Sequence, residues 1–157
     1  MTDGLPGPSV LDPATEARLR ASFGASTMLA TLGAALTEVG PGRVVLEMPS
    51  DPRFAQQHGY THAGAVTTLV DTACGYAAYS VMPPDREVLT VDFSANFLAP
   101  ALGTAFRATG AVLRAGRTLV ICRGEVHALA EGREPRLIAA MQATMMSVTP
   151  PTAEPGT

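Results

Sequence analysis

One stretch constrains this chain more than any other. From Ala63 to Met82 it is built of Ala, Val, Leu, Thr, Gly, Tyr, Cys, Ser and Met around a single charge, Asp71. Its alanine content predicts a helix, and Pro83-Pro84 ends it, since proline has no N–H to donate. An ordinary surface helix carries a polar stripe opposite its apolar one. A helix apolar nearly all round is a buried helix. The rest of the chain must wrap it, or a second copy must cover what is left open. A membrane span is rejected: Thr67, Thr68, Asp71, Thr72, Gly75 and Ser80 interrupt the stretch, and a central Asp is costly in lipid.

The flanks supply the wrapping. Asp12 reads as an N-cap and Pro13 as the first residue of a short helix to about Phe23. Ala30 to Val39 and Arg43 to Pro49 read as extended segments around a Gly40-Pro41-Gly42 turn, and 51–61 as a polar loop. After the long helix the period changes to two. Leu89, Val91, Phe93, Ala95 and Phe97 share one face; Thr90, Asp92, Ser94 and Asn96 share the other. That alternation predicts a half-buried strand. Thr104 to Arg114 and Arg117 to Ala130 flank a two-residue Ala115-Gly116 connection, and Leu137 to Val148 is the last strand of a meander. The class is α+β with an antiparallel sheet. One domain is expected over 14–149, with loose Pro- and Gly-punctuated segments at 1–13 and 150–157.

Hydrophobic residues make up 46% of the 157 and charged residues only 16%, which excludes a disordered chain and suggests surface buried between subunits. A net charge of −3 gives no basic field for nucleic acid. All 11 cations are Arg, so a single arginine carries little functional weight. Cys74 and Cys122 have apolar neighbours and no metal-ligand spacing, so they read as buried free thiols of a reducing cytoplasm, and no metal is expected. The first nine residues have neither a cationic start nor an apolar core, so no signal peptide is expected.

Asp71 is then the residue to explain. Its neighbours one turn away, Thr67, Thr68, Cys74 and Gly75, offer no cation. A buried carboxylate without a partner costs several kcal/mol, so the acid is read as a catalytic group in a dry cleft, the other reading being an acid that faces solvent at a gap in the sheet or bonds a hydroxyl such as that of Thr67. The helix opens with Thr61-His62-Ala63-Gly64. Small residues there leave the first amide N–H groups accessible, and the helix dipole suits a developing oxyanion. Asp71 follows these amides by seven to eight residues, or about 10–12 Å at 1.5 Å per residue. An attacking group must come within about 3–3.5 Å of the reacting carbon. One helix therefore does not supply both, whereas two helices packed antiparallel across a two-fold axis do. Active sites between subunits are expected, two per dimer.

The run Gln56-Gln57-His58-Gly59-Tyr60-Thr61-His62-Ala63-Gly64, followed by Leu69-Val70-Asp71-Thr72-Ala73, resembles the hotdog-fold thioesterases of the phenylacetate-degradation type (PaaI-like). That pattern is Asn or Gln, His-Gly-Gly six residues later, and Asp nine after the His; Gln56, His62 and Asp71 keep both spacings. Leu89-Thr90-Val91-Asp92-Phe93 and Asn96-Phe97-Leu98-Ala99-Pro100 also look like the strand that follows the helix in the family. The likeness covers roughly 30–148. It implies a curved antiparallel sheet around one long helix, dimers that often pair into tetramers, and hydrolysis of acyl-CoA thioesters with no cofactor, CoA being part of the substrate. It implies Asp71 as nucleophile or general base, the Ala63 N–H with the helix start at Gly64 as carbonyl polariser, and Gln56 as partner of the carbonyl or the water. His62 would orient the loop or assist the leaving thiolate, and Thr90 would carry a hydroxyl near the site. Three departures are plain: His-Ala-Gly replaces His-Gly-Gly, Gln replaces Asn, with Gln57 able to compete, and Thr90 lies on the polar face of its strand.

Arg107, Arg114, Arg117 and Arg123 lie on or beside one hairpin and are candidate contacts for CoA phosphates, Arg117 foremost. Tyr76, Tyr79, Met82, Phe93 and Phe97 read chiefly as core, with an acyl tunnel as the other reading. Two other functions stay open at this point: a non-catalytic acyl-CoA binder on the same fold, and a hydratase or dehydratase, for which no Asp-to-His spacing supplies the acid and base pair.

Overall fold

The computed structural model describes residues 10–150; of the segments expected to be loose, 1–9 and 151–157 lie outside it. Helix α1 spans Pro13–Ala25, and Asp12 caps it by accepting from the Thr15 N–H at 3.0 Å. A second short helix, α2 (Thr27–Leu32), occupies the start of the segment expected to be extended. Ser26 caps its beginning, and Gly33 ends it in the left-handed region at φ 65°. Strands β1 (Ala35–Gly40) and β2 (Arg43–Pro49) form the expected hairpin, and a 3-10 turn at Pro52–Phe54 breaks the loop that follows. The long helix α3 runs Ala63–Tyr79, stopping short of Met82. Strands β3 (Glu87–Phe97), β4 (Ala105–Ala115), β5 (Leu119–Leu129) and β6 (Arg136–Val148) complete the chain. The β4–β5 connection is three residues, Gly116-Arg117-Thr118, rather than two.

All six strands form one antiparallel sheet in the order β1-β2-β4-β5-β6-β3. Chain-sequential β4, β5 and β6 are the meander; β3 pairs β6 and is left as an edge. The sheet curves around α3, whose Val66, Leu69, Val70, Ala73 and Ala77 are fully buried. Burying each Val or Leu contributes about 1.5–3 kcal/mol. Two glycines let the helix come this close. Gly110 of β4 and Gly124 of β5 are register partners under α3. A methyl group on Gly110 would lie 2.3 Å from the Ala73 backbone, and one on Gly124 2.4 Å from Val70 Cγ2. Only a residue without Cβ fits there.

The C-terminal end of α3 is tied to α1. Arg18 donates to the carbonyls of Tyr79, Met82, Pro83, Pro84 and Arg86, and its guanidinium lies 4.1 Å from the Tyr79 ring centroid. Met82, Pro84 and Arg86 offer carbonyls with no amide donor among the turn contacts here, while those of Tyr79 and Pro83 also accept from the Met82 and Arg86 N–H groups. Among the described residues no helix is long and apolar enough to cross a membrane.

The helix is not buried all round. Thr67, Thr68, Asp71, Thr72 and Gly75 form a partly open stripe. The Thr68 and Thr72 hydroxyls donate back to the Gly64 and Thr68 carbonyls at 2.9 and 2.7 Å, which mutes their polarity.

Candidate active site

Asp71 sits on the open stripe of α3, facing the edge strand. Thr90 Oγ donates to Asp71 Oδ1 at 2.9 Å. The sequence alternation puts Thr90 on the polar face, away from the helix, and the structure corrects this. A β-bulge lies between Thr90 and Asp92: Thr90 pairs with Met145 and Asp92 with Thr144, so β3 spends one extra residue, Val91. The bulge reverses the phase of the strand. Val88 and Thr90 before it share the helix side with Phe93, Ala95 and Phe97 after it, since their partners Ser147, Met145, Ala143, Met141 and Ala139 are all buried. Leu89 and Val91 are thus not on one face with Phe93, and β3 is mostly exposed rather than half-buried.

Burial pushes the Asp71 carboxyl above the ordinary carboxylate range, and the Thr90 hydrogen bond pulls it part of the way back. The acid opens into a cleft of about 250 Å³ walled by Ser22 and Leu29 from the N-terminal helices, Tyr76 from α3 and Glu87 from β3. Tyr76 Oη lies 3.1 Å from Ser22 Oγ, and the Tyr79 hydroxyl donates to Glu87 Oε1 at 3.0 Å. Sequence spacing gives no hint of this wall, because Ser22 and Tyr76 are 54 residues apart and meet only in the fold.

The other candidates gather at the N-terminus of α3. Gln56 and Ala63 line a separate cleft of about 200 Å³ with Thr61, Phe97, Pro100 and Ile138. His62 is the N-cap: its Nδ1 accepts from the Gly64 N–H at 2.9 Å, and its carbonyl accepts from Ala65 and Val66. This takes the Gly64 amide out of the set of free donors. The Ala63 N–H has no acceptor among the described residues, so it is the amide left for a ligand. Gln56 Oε1 accepts from the His58 N–H, and the Gln56 and Tyr60 backbones pair across the loop. His62 also lines a third cleft of about 300 Å³ with Met28, Leu32, Arg53 and Phe54. That cleft touches neither Asp71 nor Gln56.

Gln57 is exposed beside Gln56 and makes no side-chain hydrogen bond among the described residues. Arg117 is exposed in the β4–β5 turn. Of the other arginines, Arg107 is paired with Glu47 at 2.7 Å and Arg123 lies 4.0 Å from Glu125. Tyr76 and Tyr79 are buried, as core residues should be, while Phe93 and Phe97 are exposed. The structure thus brings Asp71 to Thr90, and Gln56 to Ala63, but it does not bring the two pairs together within one chain.

Residues 58–134 match the sequence model of the thioesterase superfamily. A crystal structure of a thioesterase family protein from Silicibacter pomeroyi is 45% identical, with a TM-score of 0.84 over 86% of this chain and 98% of that one. The chain belongs to the thioesterase superfamily. The PaaI protein of the E. coli phenylacetic acid degradation operon shares the fold at 19% identity, with a TM-score of 0.77 over 88% of this chain and 96% of that one. A 1,4-dihydroxy-2-naphthoyl-CoA hydrolase from Listeria monocytogenes is 26% identical over 88 residues, 56% of this chain and 72% of that one. Against two other curated relatives the match spans only 56% and 64% of their own length. The architecture is the hotdog fold of PaaI-like thioesterases: one long helix wrapped by a curved antiparallel sheet. Asp71, Thr90 and Arg117 fall inside the stretch matched by the thioesterase model; Gln56 and Gln57 lie just before it.

Proposed function

We propose that the chain hydrolyses acyl-CoA thioesters to a free acid and CoA, at sites shared between two copies. The observation that carries this is the separation of the half-sites. Asp71 lies eight residues after Ala63 on one helix, about 12 Å away, and lines a different cleft. The edge strand between them is apolar and open: Leu89, Val91, Phe93 and Phe97 are 44–58% exposed. An open apolar edge is a ready template for pairing with another chain. If β3 pairs antiparallel with its own copy about an axis between Phe93 and Ser94, Thr90 falls opposite the partner's Phe97. Thr90 marks the Asp71 cleft, and Phe97 marks the Ala63 cleft. The two halves then meet twice per dimer. Pairing of such dimers into tetramers is what the family likeness implies.

At such a site the Ala63 N–H and the α3 dipole would polarise the thioester carbonyl, with Gln56 beside it. Asp71, ionised and held by Thr90, would attack the carbonyl carbon or take a proton from an attacking water. Both routes break the C–S bond and release the CoA thiolate; after direct attack the acyl group rests on Asp71 as an anhydride, which a water must then cleave to give the free acid and restore the carboxylate. The role of His62 is to hold the helix start, which fixes the Ala63 amide. Arg117 is the cation proposed to meet CoA phosphates, and Gln57 a further contact at the loop. CoA arrives as part of the substrate, so the scheme needs no metal or cofactor. The two buried free thiols, Cys74 and Cys122, support a reducing cytoplasmic setting.

The test is thiol release from a panel of aryl- and alkyl-CoA thioesters, alongside light scattering. Release from at least one thioester by a dimer or larger oligomer is expected. Absence of release across the panel would sink the enzyme, and a stable active monomer would sink the shared site.

A further inference from the structure

The cleft beside Asp71 holds an unassigned charge. Its charged wall residues are Asp71 and Glu87, both acids, and no cation lines it. Glu87 stands three positions before Thr90 on β3, roughly 10 Å along the strand. Tyr79 pins Glu87 Oε1 through its hydroxyl, and the other carboxylate oxygen has no hydrogen bond or ion pair among the described residues. The nearby cations keep their charge but make their direct contacts elsewhere. Arg18 is spread over five backbone carbonyls, and Arg86 donates to Ser147 and to the Thr149 hydroxyl. An acyl group whose carbonyl lies at Asp71 and which extends along this cleft therefore ends against a carboxylate that no cation contacts directly.

Resting on the hydrolase reading above, we propose that Glu87 is a specificity-determining residue that bars acyl groups carrying a distal carboxylate. Discrimination of this kind needs no attractive contact: a like charge placed where the wrong substrate would put its own is enough. Both acids are half-buried, so water screens that repulsion less than at an open surface. A six-carbon diacid is the right length to set its free carboxylate near Glu87. Its ω-methyl ester has the same chain without the charge.

The experiment compares kcat/KM for adipoyl-CoA and for its ω-methyl ester, in wild type and in Glu87→Gln. The variant keeps an amide oxygen to accept from Tyr79. Wild type is expected to favour the ester at least tenfold, and Glu87→Gln to narrow that gap at least fivefold. A smaller wild-type preference overturns the proposal, and so does a variant that leaves the gap in place. The wild-type comparison stands by itself if the variant does not fold. Absence of thiol release from the neutral ester and from phenylacetyl-CoA alike is a different result: it overturns the hydrolase reading, and this proposal with it.

Discussion

The two long flanks of α3 obey opposite rules. On the inner flank Val66, Leu69, Val70 and Ala73 are sealed against β4, β5 and β6, and glycines at 110 and 124 remove the last methyl groups between helix and sheet. On the outer flank Thr67, Thr68, Asp71, Thr72 and Gly75 face a bulged edge strand and open clefts. Packing on the first flank holds the second in place, so a carboxylate can sit where it is unfavourable. The difference separates the residues that build the molecule from those proposed to do its chemistry, although they alternate along seventeen consecutive positions.

Four substitutions probe that contrast. Asp71→Asn on the outer flank has the largest expected effect, a loss of about 10³-fold in kcat. Its stability effect should run the other way. Burial raises the folded-state pKa of Asp71, so its contribution to stability is full below the unfolded pKa and is lost as pH rises through the folded value. At neutral pH the ionised acid costs stability, and thermal denaturation should show the Asn variant melting higher. By the same sign, wild-type activity should fall on acidification at a higher pH than an ordinary carboxylate would give. A variant that is both inactive and less stable would mean that Asp71 belongs to the packing flank.

Gly110→Ala on the inner flank should cost about 3 kcal/mol in urea unfolding, because its methyl meets backbone rather than a movable side chain. An unchanged midpoint would show that α3 is free to lift. Thr90→Val removes the donor to Asp71 and keeps the shape. Steady-state kinetics should show roughly a tenfold loss, the weight of one hydrogen bond to a charged group, with the acidic limb moved upward because the Thr90 bond lowers the Asp71 pKa. His62→Ala should be the mildest, about 1 kcal/mol in thermal unfolding for a lost N-cap. A loss of activity larger than that cap explains would return His62 to the chemistry.

The long helix, its one acid, the α1 cap and the meander were all legible in the chain, because periodicity, proline placement and capping residues act over a few neighbours. The spacing of Gln56, His62 and Asp71 was legible too. Short helix α2 was not, because it is only six residues long and its second half, with Gly33 after it, lies within a stretch that also reads as extended. The face of Thr90 was misread for a sharper reason. One inserted residue at Val91 inverts a period of two, and the strand's own sequence does not mark the insertion; only pairing with β6 does.

By itself, then, the sequence determined a greasy helix bearing one acid and a sheet to wrap it, since local propensity and hydrophobic pattern decide those. Tertiary structure alone decided that Thr90 meets Asp71, that Ser22 and Glu87 wall its cleft, that His62 occupies the Gly64 amide and leaves the Ala63 amide free, and that β3 is an open edge. Each of these depends on which distant segments pair and in what register, and that is settled by the packing of the whole chain at once.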